Sequence, residues 1–256
     1  EPITVIEAPP GFGKTAVLSQ VFATAVNETP VWLSLDIGDD ASLMVDQLEA
    51  AFARAGLMLP QSPAPQDAAV GLRLSVLTAA IERSNRRWLL ILDNVERIGV
   101  QARREIVEPL TRFAPEAMRL AIGCSGPLPL DLSGPDARGL VAWIGPDDLR
   151  FTVEDIRAVC GRSVTEYRVR HIQQRTLGWP LLVGVLGAVD NPAAPGRGRL
   201  GARTLDNFLH HRLLAQLDPA AARDWARLAA LERFDAELVE RLLGRSWTRR
   251  WLDQLK

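Results

Sequence analysis

Ile3-Thr4-Val5-Ile6-Glu7-Ala8-Pro9-Pro10-Gly11-Phe12-Gly13-Lys14-Thr15 decides the fold of this chain. The Ile-Thr-Val-Ile run is rich in β-branched residues and predicts a strand. From Ala8 the sequence matches G-x-x-x-x-G-K-[ST], with a small alanine in the first place. Gly11 and Gly13 allow backbone angles that turn successive N–H groups inward as an anion nest. A helix starting at Lys14 would point its positive dipole end at the same place. Lys14 would reach the β- and γ-phosphates of a nucleoside triphosphate, and the Thr15 hydroxyl would bind Mg²⁺. The candidate phosphate contacts are therefore Ala8, Pro10, Gly11, Phe12, Gly13, Lys14, Thr15 and Ala16.

Working outward, short apolar runs alternate with helical patterns, the signature of a parallel α/β sheet. Strands are expected at Ile3–Ile6, Val31–Leu35, Trp88–Leu92, Leu120–Ile122 and Leu140–Ile144. Helices are expected from Lys14 to about Ala25, at Ser42–Ala55, from about Ala68 to Arg83, and near Arg103–Phe113. Pro60 to Pro65 reads as a Pro-rich loop. After Gly145 the strand signals stop. Helical patterns follow at Val153–Cys160, Val164–Thr176, Pro180–Val189, Leu205–Leu217, Ala220–Leu231 and Ala236–Leu243. A Gly-, Pro- and Arg-rich stretch at Asn191–Gly201 reads as a linker. The expected organisation is an α/β nucleotide-binding domain at 1–145, a helical subdomain at 146–200 and a further helical module at 201–256.

Trp88-Leu89-Leu90-Ile91-Leu92-Asp93 is an apolar strand ending in an acid, roughly 80 residues beyond the loop, where a magnesium-holding strand belongs. Asp93 would sit at the carboxyl end of the sheet, where ligands of α/β folds collect. Thr15 and Asp93 are thus the candidate Mg²⁺ residues. The next residue is Asn94, whose amide can orient water but cannot take its proton. Glu96, two residues further, is the other candidate for that role, against the plainer reading of a solvated loop acid. Nucleotide binding is accordingly a firmer expectation than catalysis.

Bulk properties set limits. The 256 residues are 47% hydrophobic and 24% charged, with a net charge of −1. That is ordinary for a globular chain with a buried core and gives no global attraction for nucleic acid. No apolar run approaches the roughly 18 residues of a membrane span. Cys124 and Cys160 make neither a disulfide framework nor a metal cluster, which fits a reducing cytoplasm. The chain begins at Glu1 without a methionine and ends in the helix-like Trp247 to Lys256, so further protein on both sides is expected.

With these residues in view, the chain resembles the signal-transduction ATPases with numerous domains. It looks most like the ATPase module of the large LuxR-type transcription regulators, the group that includes the bacterial maltose regulator. The likeness runs over roughly residues 3–245. It is carried by the phosphate loop, Val-Trp-Leu-Ser-Leu-Asp at 31–36 and Leu-Leu-Ile-Leu-Asp-Asn-Val-Glu at 89–96. Leu-Pro-Leu at 128–130, Asp-Leu-Arg-Phe-Thr at 148–152 and Arg-Thr-Leu-Gly-Trp-Pro-Leu-Leu at 175–182 complete it.

The resemblance implies ATP with Mg²⁺ as ligands and a three-layer domain with sheet order 5-1-4-3-2. A helical subdomain and the start of a winged-helix-like module would follow, the latter at 201–256. It further implies that Pro180, in Gly178-Trp179-Pro180, packs against adenine. From the residues alone that tripeptide reads as a helix stop and restart. Partners implied are flanking sensor and DNA-binding domains, and self-association driven by ATP. Neither DNA binding by this stretch nor a membrane role is expected. Such ATPases often carry an arginine after the fourth strand to sense the γ-phosphate. Here Ile122-Gly123-Cys124-Ser125-Gly126 has none. With Asn94, this departure points to a switch with slow hydrolysis; the alternative is an ATPase or kinase with substantial turnover.

His171, His210 and His211 lack acidic or cysteine partners at ligand spacing and read as surface or core residues. Two arginine clusters, 197–203 and 245–250, read as solvated faces or interdomain contacts. Cys124 reads as a small buried residue.

Overall fold

The computed structural model describes residues 1–36, 40–59, 69–161, 164–189, 223–224, 227 and 236–243. The chain divides into two compact units, Glu1–Gly187 and Ala188–Lys256. The first unit holds a five-stranded, all-parallel sheet built from β1 (Ile3–Glu7), β2 (Thr29–Ser34), β3 (Trp88–Asp93), β4 (Met118–Cys124) and β5 (Val141–Ile144). Its order is β2-β3-β4-β1-β5, which read from the other edge is 5-1-4-3-2, as the resemblance implies.

Strand side chains alternate between two apolar layers, as a period of two requires. Val5, Val31, Leu33, Trp88, Leu90, Leu92, Leu120 and Ile122 join the larger core. That core is closed by α2 (Ala41–Arg54) and α3 (Val70–Arg83), with Ile106 and Leu110 of the helical stretch after β3. Ile6, Leu89, Ile91 and Ala121 face the other way, onto Leu18 of α1 (Lys14–Thr24). Helix, sheet and helix make three layers. β3 is buried at every position, because it is flanked by β2 and β4 and covered on both faces.

Local differences from the sequence expectation have physical reasons. β2 begins at Thr29 and includes Pro30, since an edge strand tolerates a residue without an N–H. The stretch near Arg103–Phe113 starts earlier, as α4 (Val100–Ala102), a wider π turn at Arg103–Val107, and α5 (Glu108–Arg112). Two short helices, α6 (Ser133–Ala137) and α7 (Pro146–Leu149), are too brief to leave a periodic signal. Beyond them lie α8 (Val153–Cys160), α9 (Glu166–Thr176) and α10 (Pro180–Val189), with Thr152 and Thr165 capping the first two through their hydroxyls. Ile156, Val169, Ile172 and Val183 give these helices a core of their own.

In the second unit, α11 (Ala236–Leu243) forms where expected. The helices expected at Leu205–Leu217 and Ala220–Leu231, the winged-helix-like reading, most of the linker and both arginine clusters lie largely outside the described residues. No described helix is long and apolar enough to cross a membrane.

Candidate nucleotide site

The loop from Ala8 to Gly13 leaves β1 at the carboxyl end of the sheet and turns into α1. Gly11 and Gly13 both adopt left-handed backbone, with φ of +85° and +83°. An added Cβ on Gly13 would meet nothing within 4 Å, so that glycine serves the backbone angle and leaves its surroundings open. Lys14 is 7% exposed, and its ammonium donates to the carbonyls of Ala8 (2.7 Å) and Pro9 (3.2 Å), curling over the loop. Ala8 is buried, whereas Thr15 and Ala16 are exposed at the helix start.

The Thr15 hydroxyl donates to Asp93 Oδ2 at 2.8 Å, joining positions 78 residues apart. Asp93 is 2% exposed, and its other oxygen accepts from Asn94 N at 3.0 Å. Space for this carboxylate comes from Gly123 on the neighbouring strand, where a Cβ would lie 2.8 Å from Asp93 Oδ1 and from Leu18 Cδ1. A hydroxyl and a carboxylate in contact, next in sequence to a lysine, are hard-oxygen donors that fit a Mg²⁺–triphosphate. Among the described residues there is no cluster of three acidic, cysteine or histidine side chains for a metal. Magnesium bound mainly through phosphates and water needs none.

Asn94 and Glu96 diverge. Asn94 has φ +63°, a conformation asparagine tolerates, and its amide donates to Ser34 Oγ at the end of β2 (3.2 Å). The chain then tightens into a 3₁₀ turn, Val95–Arg97. This turn brings Glu96 Oε2 to the backbone N–H of Ser125, just past β4, at 3.0 Å. Sequence spacing alone could not show which of the two faces β4.

Gly178-Trp179-Pro180 lies against the phosphate loop. Leu181 N donates to the Gly11 carbonyl at 3.1 Å. The Trp179 indole packs so closely that a Cβ on Gly11 would sit 2.8 Å from its Nε1. Phe12 lies 6.4 Å from Trp179, ring to ring, and the Arg150 guanidinium sits 5.6 Å from the Phe12 ring. Arg150 is itself held by the Leu177 carbonyl and Asp147, both at 2.9 Å. Pro180 opens α10 between Trp179 and Leu181. The motif was visible in the sequence, but its seat on Gly11 and the roles of Arg150, Leu181 and Gly123 were not.

Cys124, the last residue of β4, is fully buried. Burial first, then the carboxylates of Glu96 and Glu7, push its thiol up to about 12, with Lys14 pulling the other way. His171 stacks on Tyr167 of the same helix, 6.3 Å away, apart from the loop residues.

No protein-family model matches the sequence, and no curated protein does. Among solved structures, the chain is similar to the Signal Transduction ATPase with Numerous Domains (STAND) protein with a tetratricopeptide repeat sensor from Pyrococcus horikoshii. That match has a TM-score of 0.59 at 16% identity, covering 96% of this chain and 35% of that one. The ORC1 protein of Aeropyrum pernix, solved in complex with DNA, aligns at a TM-score of 0.47 and 14% identity over 96% of this chain and 74% of its own. A RuvB mutant of Thermotoga maritima aligns at 0.44 and 13% identity, over 94% and 74%. The last two overlaps are loose. The first covers about a third of a longer protein. At such identity it is a likeness of fold alone, a five-stranded parallel α/β sheet whose first strand runs into the loop at Ala8–Gly13.

Proposed function

We propose that this chain is the ATP-binding switch module of a signal-transduction regulator, with Mg²⁺ as the companion ion and slow hydrolysis resetting the state. The observation that carries the reading is the contact between Thr15 and Asp93 beside Lys14 at the mouth of β1 and β3. Bound, the ion would be held by Thr15 and Asp93 and would offset charge on the β- and γ-phosphates. Gly11, Phe12, Gly13 and Ala16 would offer backbone N–H groups, with Ala8 and Pro10 shaping the loop. Pro180 would meet the adenine ring. The contact of Leu181 and Trp179 with Gly11 supports the switch, because a change in the loop backbone is felt at once by α10.

Slow turnover is expected, well below the typical enzyme value of about 10 s⁻¹. The Asn94 amide is directed to Ser34, and no arginine lies between 122 and 127 to meet charge developing on the γ-phosphate. By resemblance, flanking domains of the full protein would sense an inducer and bind DNA, as in LuxR-type regulators. This module alone would bind no specific duplex, and with ATP it could self-associate.

Calorimetry with Mg-ATP is the direct test. Lys14→Ala should lower affinity at least about a hundredfold, since each tenfold is 1.4 kcal/mol and the change removes a charge-assisted contact to phosphate. A folded Lys14→Ala protein that binds Mg-ATP as the wild type does would sink the assignment.

A further inference from the structure

We propose that the groove between α1 and the sheet binds a small amphipathic anion, an apolar chain ending in a carboxylate. Its charged end lies at the amino ends of β3 and β4, whereas the phosphate loop leaves the carboxyl end of β1. The proposal does not rest on the nucleotide reading.

The hollow follows from side-chain size. On the α1 face of the sheet, Thr4 of β1 is paired with Ala121 of β4 on one side and with Ala142 of β5 on the other. Ile6 and Ile144, two places further along the same strands, mark that face. Three small side chains in a row leave the floor low, and α1 does not fill the space. Of its apolar side chains Leu18 is fully buried, while Val21 and Phe22 stay exposed. On the opposite face α2 buries Met44, Val45, Leu48 and Phe52. What remains is a groove of about 560 Å³, within the range of roughly 300–1,000 Å³ usual for small-molecule sites.

Charge selects the ligand. Ile6, Leu89 and Ile144 give the groove apolar walls, and one end carries Glu28, Arg87 and Arg119. Arg119 is already engaged, since its Nη1 lies 3.4 Å from both oxygens of the largely buried Glu28 carboxylate. Among the described residues, the exposed Arg87 guanidinium has no hydrogen-bond or ion-pair partner. This end of the groove therefore holds one positive charge in excess, on a planar group that can receive a carboxylate through two parallel bonds. A cation would be repelled there, and a wholly apolar molecule would leave the guanidinium unused. An aliphatic carboxylate satisfies both ends, with methylenes over Ala121 and Leu89 and the head group at Arg87. The helix above it is the one that opens with Lys14 and Thr15.

Calorimetry with octanoate tests this, with octan-1-ol as the uncharged probe of the same chain length. The wild-type chain should bind one octanoate saturably, and octan-1-ol about fivefold more weakly, the upper range for a solvent-facing ion pair. Arg87→Gln should weaken octanoate by about the same factor and leave octan-1-ol unchanged, with a thermal midpoint within about 2 °C of wild type. Thr4→Phe, which puts a ring on the floor of the groove, should abolish binding of both probes. A wild type with no saturable octanoate binding overturns the proposal. So does equal affinity for the two probes, or an Arg87→Gln protein that keeps the wild-type affinity for octanoate. Should Thr4→Phe fail to fold, the Arg87→Gln comparison decides alone. Sedimentation of the free protein covers the rival occupant: a dimer that Thr4→Phe disrupts would give the groove to a second copy and overturn the proposal.

Discussion

On one side of the phosphate loop, Thr15 and Asp93 meet at 2.8 Å on elements rooted in the sheet, beside a β3 with no exposed position. On the other side, Trp179 and Leu181 touch Gly11 from the start of α10, whose small core comprises Ile156, Val169, Ile172 and Val183. The first side is chemical: a hydroxyl bonded to a carboxylate, next to a lysine that donates to the loop's own carbonyls. The second is steric, made of an indole, a ring and one backbone hydrogen bond. A nucleotide that alters the loop would thus be held by the stiff side and read by the softer one. Local opening is easiest where buried apolar contacts are few.

The largest expected effect comes from the corner that sets α10 on the loop. Gly178 has φ +77°, and a Cβ there would lie 2.6 Å from the Phe151 carbonyl oxygen. That carbonyl belongs to a segment already bonded back, since Phe151 N donates to the Gly178 carbonyl at 2.8 Å. Gly178→Ala therefore carries backbone strain and a clash with main chain, which cannot rotate away. A loss of about 2–4 kcal/mol is expected, a fall of roughly 5–12 °C in the midpoint. Differential scanning calorimetry settles it. A midpoint unchanged within error would show that this corner yields easily and would remove the steric half of the comparison.

Gly123→Ala is the matching probe of the other side, and the effect should be smaller. Gly123 has no positive φ, so only space is at stake: the Cβ would press Asp93 Oδ1 and Leu18 Cδ1, each at 2.8 Å. A displaced Asp93 loses its alignment with Thr15. Mg-ATP affinity should drop roughly tenfold, about 1.4 kcal/mol, while ATP affinity in EDTA changes little. Equal losses with and without Mg²⁺ would mean that the glycine shapes the loop as a whole rather than seating Asp93 for the proposed magnesium.

The two sides were not equally legible in the sequence. Lys14, Thr15 and Asp93 belong to patterns in which spacing and residue type encode the chemistry, and the apolar run at 88–92 fixed a central strand. The alternation of Val5 and Ile6, or Leu90 and Ile91, even assigns faces of the sheet. What failed to show was long-range and steric. Nothing local in Gly123 announces a carboxylate 2.8 Å away, and no period marks the four-residue α7 that carries Asp147 to Arg150. Asn94 and Glu96 differ by two places in sequence, yet one left-handed residue sends them to different strands.

The smallest effect, and the finest probe of the contrast, is the reactivity of the two thiols. Cys124 lies on the stiff side, fully buried, with its thiol raised to about 12 by burial and then by Glu96 and Glu7. Cys160 lies on the softer side at the end of α8, only partly buried. Burial raises its thiol too, with Arg168 opposing, and a Cβ on Gly187 would sit 2.9 Å from its sulfur. Alkylation requires the thiolate. With a value near 12, the Cys124 thiolate fraction at pH 8 is on the order of 10⁻⁴, rising tenfold with each pH unit. Iodoacetamide at pH 8 should therefore modify Cys160 first, and Cys124 only once denaturant opens the sheet. The sign for stability follows from the same shift. A thiol whose folded value is raised above its ordinary 9.0 contributes stability fully below that pH, and the contribution is lost as pH rises toward 12. Peptide mapping after timed labelling reads both sites at once. Comparable rates at Cys124 and Cys160 in the folded protein would show that the sheet end beside Glu96 opens as readily as the helices, and the division into a stiff and a soft side would not stand.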